Sequence, residues 1–306
     1  IEQAFCLRGE PLEEEPPSVP TWTNDACPKD VDTATAYFEV PRTGGTEDDF
    51  YRLPFPNDVR KRDGKIDLSG HPVPPSDLGI PLVERFVRAA GDSLSGFATN
   101  PVIYFRFSEA YDGGDLSGST LKIVDITKSS PDYDRPLSLE WGPSNVKSNY
   151  ICGRWLAMRP IARRNLPSPL RSNTTYAAIV TRGVGPKAGG SFQRSADLDA
   201  MLAAQAPSDP VLKAAYEAYA PLRDWLADSG TNPNDLLNVA VFTTQDAEGI
   251  VPKLRSAVED HGAPTVKDMV VCKDGVTSPC EDSTGRGACR PENDAFTQIH
   301  GRITLP

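Results

Sequence analysis

Histidine is scarce in this chain, which has only His71, His261 and His300, and no two of its six cysteines stand in a Cys-x-x-Cys spacing. A zinc centre therefore has too few donors at ligand spacing. No His-x-x-x-His or Glu-x-x-His pair occurs, and Asp268, Asp274, Glu281 and Asp282 do not follow a calcium-loop spacing. No metal or other cofactor is expected. Basic residues are outnumbered, 32 Lys and Arg against 42 Asp and Glu for a formal charge of −10, which removes the basic patch that a phosphate backbone requires. Nucleic acid is not an expected partner. No run reaches the roughly 18 apolar residues of a membrane span. The Gly-x-Ser-x-Gly elbow of α/β hydrolases is also missing; Gly114-Asp115-Leu116-Ser117-Gly118 has its serine one place late.

Proline and glycine are plentiful, 29 and 24 in 306 residues, so elements must be short and connections punctuated. The length exceeds the roughly 100 to 200 residues of one ordinary domain. Cys6, Cys27, Cys152, Cys272, Cys280 and Cys289 form an even set without metal spacing and read as disulfide candidates. Disulfides imply an oxidising compartment, so the chain is expected to be secreted, periplasmic or on the outer cell surface. Cys272, Cys280 and Cys289 share one short segment, where at least one local bridge is expected, although six cysteines allow fifteen pairings. The chain opens without a basic and then apolar signal region, and is read as a mature form. Cys6 follows no apolar stretch and is not read as lipidated; a lipid anchor upstream of Ile1 stays open.

Residues 1–33 read as an acidic, Pro-rich arm or linker pinned by Cys6 and Cys27. A strand is expected over 34–41. In the next stretch Leu53, Phe55 and Val59 alternate with prolines, the pattern of a segment lying extended across a sheet edge, and Arg62-Asp63-Gly64-Lys65 makes a tight turn. Asp58 and Asp67 read as turn caps ahead of metal ligands, and His71 as a surface residue ahead of a base. Residues 81–90 make an amphipathic helix opened by Pro81 and stopped by Gly91. Strands follow at 101–107, with Val102, Tyr104 and the Phe105 to Phe107 region packing inward, at 121–126 and at 137–141. The stretch on which the rest is organised comes next: strands Trp155–Pro160 and Thr175–Thr181, bounded by Asn165, Pro167, Pro169, Asn173, Gly183 and Gly185. This spacing of strands predicts an Ig-like β-sandwich over 34–190.

Past Gly190 the periodicity turns helical, and 191–265 read as a helical insert with a returning strand. The reading places a helix at 197–206, a second opened by Asp209 and Pro210, a kink or break at Pro221, a buried strand at 237–244, and a helix at 246–261 capped by Asp246 and stopped by Gly262. Residues 266–306 are a disulfide-bearing tail with an alternating KDMVVC and an exit strand from Ile299. The expected fold class is mainly β: an Ig-like β-sandwich with a helical insert and long Pro/Gly-rich loops. Strands and helices do not alternate as a doubly wound sheet requires.

Gly91-Asp92-Ser93-Leu94-Ser95 spells the nucleophile block of GDSL hydrolases, which makes Ser93 the alternative catalytic residue. The string follows a helix, and no Asp-x-x-His string occurs near the C-terminus, so a helix-stop turn is the better reading. Ser119-Thr120-Leu121-Lys122 fits Ser-x-x-Lys without any companion motif, and Lys122 reads as a solvent-facing strand residue. Asn173-Thr174-Thr175 is a glycosylation sequon that means little outside a glycosylating host.

Together, FYRLPFPNDVRKRDGKIDLSG at 50–70, LSGFATNPVIYFRFSEAYD at 94–112, IARRNLPSPLRSNTTYAAIVTRGV at 161–184 and VAVFTTQ at 239–245 resemble the N-terminal bacterial Ig-like module of secreted lipase-like and α/β-hydrolase-like proteins. The Leu170–Tyr176 string is also similar to Ig-like strands of surface-layer and adhesion proteins. The resemblance covers residues 34–306. It implies that a hydrolase domain comes after the module, beyond Pro306, and that the module's partner is that domain or an extracellular subunit. The elbow and its His and acid partners are missing, so no catalytic residue carries over. The expected function is a non-catalytic accessory or structural module of a secreted or surface-displayed hydrolase-like protein. The alternatives are a free-standing serine esterase or lipase using Ser93, and a surface adhesin presenting Trp141 or Trp155 on one face.

Overall fold

The computed structural model describes residues 27–42, 49–73, 81–148, 150–161, 169–261, 265–291 and 295–304, and contacts divide the chain after Ala247 into two units. In chain order the first unit holds β1 (Thr35–Ala36), β2 (Lys61–Arg62), β3 (Lys65–Ile66), α1 (Leu82–Ser93), β4 (Ile103–Arg106), β5 (Leu121–Asp125), β6 (Leu139–Ser144), β7 (Trp155–Pro160), β8 (Thr175–Thr181), β9 (Gln193–Arg194), α2 (Ala196–Leu202), α3 (Pro210–Ala218), α4 (Ala220–Ser229) and β10 (Leu236–Thr243). The second holds α5 (Ile250–Asp260), β11 (Thr265–Val271) and β12 (Ile299–Thr304).

Two three-stranded antiparallel sheets carry the first unit, in the orders β4-β7-β6 and β10-β8-β5. Ile103 and Phe105 of β4 and Leu156 and Met158 of β7 share one core with Ile123, Ala178, Val180, Ala240 and Phe242 of the other sheet. Successive strand residues point to opposite faces, so Tyr104 and Trp155 turn away from this core into an aromatic cluster with Phe50, Tyr51 and Phe55. Phe55, between two prolines, bridges to Tyr104 through two backbone hydrogen bonds of 2.8 and 3.2 Å, as expected of an extended segment at a sheet edge. The β2-β3 turn has Asp63 at φ 50° and Gly64 at φ 76°, the left-handed pair that a two-residue hairpin turn requires.

The second sheet is covered on both sides. Val124, Ala177, Ile179, Val239 and Val241 face away from the shared core and pack with Leu198, Met201, Ala215, Leu222 and Leu226 of α2, α3 and α4. A strand buried on both faces reads as an unbroken apolar run, and this is why β8 and β10 show YAAIV and VAVF without alternation. Asp209 caps α3, accepting from Leu212 N at 2.9 Å with Pro210 in the first turn, and Pro221 sits in the first turn of α4 just past the break.

The two strands expected to organise the chain occur at the bounds read from sequence. They do not pair with each other; each is the central strand of a different sheet. The element content is mixed, with five helices beside many short strands among the described residues, because the inserted helices form a full layer. Within 101–107 the Phe105 to Phe107 region is buried as expected, whereas Val102 is exposed and Tyr104 turns away from the core, because the alternate parity, Ile103, Phe105 and Phe107, fills it. Gly91 does not stop α1, which continues to Ser93. The returning strand β10 pairs with β8, so the unit boundary lies at 247/248 and not near 265. Gly249, not Asp246, takes the cap position of α5. Gly262, Asn165 and Pro167 lie outside the described residues.

Cys27 pairs with Cys152 and not with Cys6, and Cys272 pairs with Cys289. Cys280 is an exposed free thiol, while Cys6 and most of the acidic arm lie outside the described residues. The two bridges fit an oxidising, extracytoplasmic environment. No helix among the described residues is long and apolar enough to cross a membrane.

Candidate functional site

Ser93 ends α1 and is exposed, and no imidazole or carboxylate among the described residues hydrogen-bonds its hydroxyl. Behind α1 lies a cavity of about 280 Å³ walled by Asp67, Leu68, His71, Glu84, Arg88 and Asp92, among others, but not by Ser93. His71 donates from Nδ1 to the Pro72 carbonyl at 3.0 Å, which leaves Nε2 as the acceptor facing the Tyr51 hydroxyl at 3.5 Å. Burial, together with the Arg60 charge, pushes the imidazole below its usual range and keeps it neutral. Two carboxylates of the cavity are engaged: Glu84 with Arg88 at 3.0 Å, and Asp67 with Arg62 at 3.2 Å. Burial raises Asp67, yet hydrogen bonds from Ser69 and the nearby arginines outweigh it and hold the group below the ordinary carboxylate range. Of the residues singled out in sequence the cavity gathers Asp67 and His71, and it presents a neutral acceptor without an adjacent nucleophile.

Asp58 is a tether. Its carboxylate accepts from Thr243 N at 3.0 Å and Thr243 Oγ1 at 2.5 Å, fastening the 57–60 turn to β10, and burial raises its pKa. Asp282 accepts from Thr284 and from Arg286 N, and Asp268 lies 3.5 Å from Arg302, so these acids of the tail close turns and ion pairs and do not converge. Cys272, Cys289 and His300 bring donor atoms within 4.8 Å of one another. The disulfide occupies both sulfurs, and His300 is held by Ser278 Oγ and Gln298 Nε2 at 2.6 Å each. Trp141 lies half-exposed on β6, whereas Trp155 packs edge-on against Tyr104 at 5.7 Å, so the two indoles form no common exposed platform.

A feature that sequence reasoning did not single out is the fully buried Arg106. Its Nε and Nη2 each lie 3.0 Å from Asp49 Oδ2, and Nη2 is 3.3 Å from Asp30 Oδ1. Arg154 and the Tyr37 hydroxyl also donate to Asp30. With the Cys27–Cys152 bridge, this cluster fixes residues 27–33 to β4 and the segments beside it. An arginine within the alternating PVIYFRF gave no hint that its charge would be internal.

The surface most open to a partner is in the second unit. In the β11-β12 hairpin Val266 pairs with Ile303 and Val271 with Ile299, across a bulge at Asp268 and Met269. The strand period puts these four side chains on one face, and Met269 joins them, because a Cβ built on Gly301 would meet its Cγ at 3.1 Å. All five are 44–61% exposed. The opposite face, with Lys267, His300 and Arg302, carries the disulfide loop: Ser278 bonds His300, and Arg302 Nε donates to the Pro279 carbonyl at 3.2 Å. On α5, Ile250, Val251, Leu254 and Val258 form a stripe at helical spacing and are 59–70% exposed. Alternation in KDMVVC signalled the strand, but a sequence does not state that nothing covers its apolar side.

No family model matches the chain, and no curated protein matches it. Solved structures of surface-layer proteins are similar to parts of it. Domains 1–6 of surface layer protein SbsC align at 10% identity over 67% of this chain and 20% of that one, with a TM-score of 0.23. The S-layer protein rSbsC(31-844) aligns at 15% identity over 39% and 16%, TM-score 0.20. The N-terminal part of the bacterial S-layer protein SbsC aligns at 15% identity over 39% and 27%, TM-score 0.20. At these scores the likeness carries no argument, and the chain spans about a fifth of the first structure.

Proposed function

We propose that the chain is a non-catalytic accessory module of a secreted or surface-displayed hydrolase-like protein, built on an Ig-like sandwich and engaging a partner domain or subunit. The observation that carries this reading is the uncovered apolar surface of the second unit, nine aliphatic side chains on one helix and one hairpin. Exposed apolar surface gathered on single elements in this way marks interaction sites in soluble proteins. A two-stranded hairpin is at best marginally stable by itself, so it gains most from a partner that covers it. The disulfides agree with an extracytoplasmic setting.

The test is site-specific photo-crosslinking in the native source, with the reactive group at Met269 or Leu254 and, as a control, at Lys122 on β5. Adducts with a second polypeptide or domain at 269 and 254, and none at 122, are expected. Equal adducts at all three positions, or none at any, would contradict the reading. The esterase alternative is tested separately: a fluorophosphonate probe should leave Ser93 unlabelled, and labelling that vanishes in Ser93→Ala would establish it.

A further inference from the structure

We infer that the partner on this surface is a second copy of the same chain, with α5 of each copy lying on the β11-β12 face of the other; the inference rests on the function proposed above and specifies its partner. Each copy carries both halves of the contact, a stripe on a helix and a sheet face, and both are exposed among the described residues. One two-fold operation satisfies both halves in both copies, the self-complementary geometry of isologous dimers. A helix laid on a sheet face is also one of the stable ways to close a layer.

Charge permits the arrangement. In such a contact each α5 stripe meets the other copy's hairpin face, so a charged residue in either patch would be buried against aliphatic side chains without a partner. The sheet face is aliphatic throughout, while Lys267, His300 and Arg302 occupy the opposite side under the disulfide loop. On α5 the charged Lys253, Arg255, Glu259 and Asp260 fall outside the stripe. Area permits it too. The nine side chains each expose on the order of 100 Å², so a symmetric contact removes about 1,800 Å², within the standard range for stable complexes.

Sedimentation velocity on the full chain tests the inference, with Cys280→Ser in every sample so that the exposed thiol cannot link copies. A species of about 66 kDa, twice 33.1 kDa, is expected at micromolar concentration. Ile303→Asp and Leu254→Asp should each weaken association roughly 100-fold or more by placing a charge in the contact, whereas Phe86→Asp on the exposed face of α1 should not change it. Both sites are exposed in the monomer, so an unaltered circular dichroism spectrum separates lost contact from lost folding. A monomer at all concentrations, or a dimer that only one of the two variants dissociates, would overturn the inference. A monomer whose 269 and 254 positions still crosslink another polypeptide in the native source would overturn the second copy alone and leave the accessory reading standing.

Discussion

Converting Asp49 to Asn should destabilise the first unit by about 3 kcal/mol, the lower end of the cost of breaking a buried ion pair. Arg106 is 1% exposed and the Asp49 side chain 2%, so the guanidinium cannot turn to water when its partner loses its charge. Asp49 supplies the acceptor for both Nε and Nη2, and Nη1 already lacks a partner. Asp30 remains 3.3 Å away and limits the loss, which sets the value near 3 and not 5. Asn keeps an oxygen for the Tyr51 amide that Asp49 Oδ1 caps at 3.1 Å; Asp49→Ala removes that bond too and should cost about 1 kcal/mol more. Asp30→Asn should cost only about 1 kcal/mol, because the closer Asp49 contact survives. Urea unfolding followed by tryptophan fluorescence reads this unit, since every tryptophan precedes Ala247. A loss below about 1 kcal/mol for Asp49→Asn, or equal losses for Asp49→Asn and Asp30→Asn, would refute the reasoning.

Tyr219→Phe should cost about 1–3 kcal/mol in the same assay, because the buried hydroxyl accepts from Asn57 Nδ2 at 2.9 Å and donates to the Val239 carbonyl at 3.0 Å, and both would be left unpaired. Cys27→Ser with Cys152→Ser reopens a loop of sequence separation 125, and chain entropy sets the loss near 5 kcal/mol; a loss under about 1 kcal/mol would show that the ion cluster alone holds residues 27–33. His71 titrates below its ordinary value in the folded chain, so the unfolded chain binds more protons just below pH 6.5 and stability falls as pH drops through that window. His71→Phe should flatten thermal-midpoint curves between pH 7 and 5, and curves parallel to those of the unmodified chain would contradict this.

Legibility in the sequence followed how local each signal was. Trp155–Pro160, Thr175–Thr181, the Asp209-Pro210 start and the break at Pro221 rest on periodicity and capping, which a few residues encode. The assignment of β7 and β8 to separate sheets rests on pairing partners of which β4, β5 and β10 are distant in sequence and only β6 is near. The inward phase of PVIYFRF was legible at Phe105 and Phe107 but not at Val102 and Tyr104, because either parity offers aromatic residues: Tyr104 fills a cluster outside the sheet while Phe105 fills the core. The disulfides were anticipated as a class, but the choice of Cys152 for Cys27 depends on where the 27–33 segment lies. Asp67 caps a local turn as read, accepting from Ser69 N, whereas Asp58 reaches Thr243 of β10 and His71, read as a surface residue, is half-buried against Phe50, Tyr51 and Phe55; these, like Arg106, required knowledge of what packs against them. The apolar side of β11-β12 was visible as alternation, and its exposure was not, because exposure belongs to the assembly.

Native mass spectrometry of the protein as isolated from its source bears most directly on the central claim, that the second unit exists to be covered. The account predicts an assembly heavier than the 33.1 kDa of these residues, which dissociates when Ile303 or Leu254 is replaced by Asp. A single 33.1 kDa species at all concentrations, with the apolar hairpin face left in solvent, would contradict it.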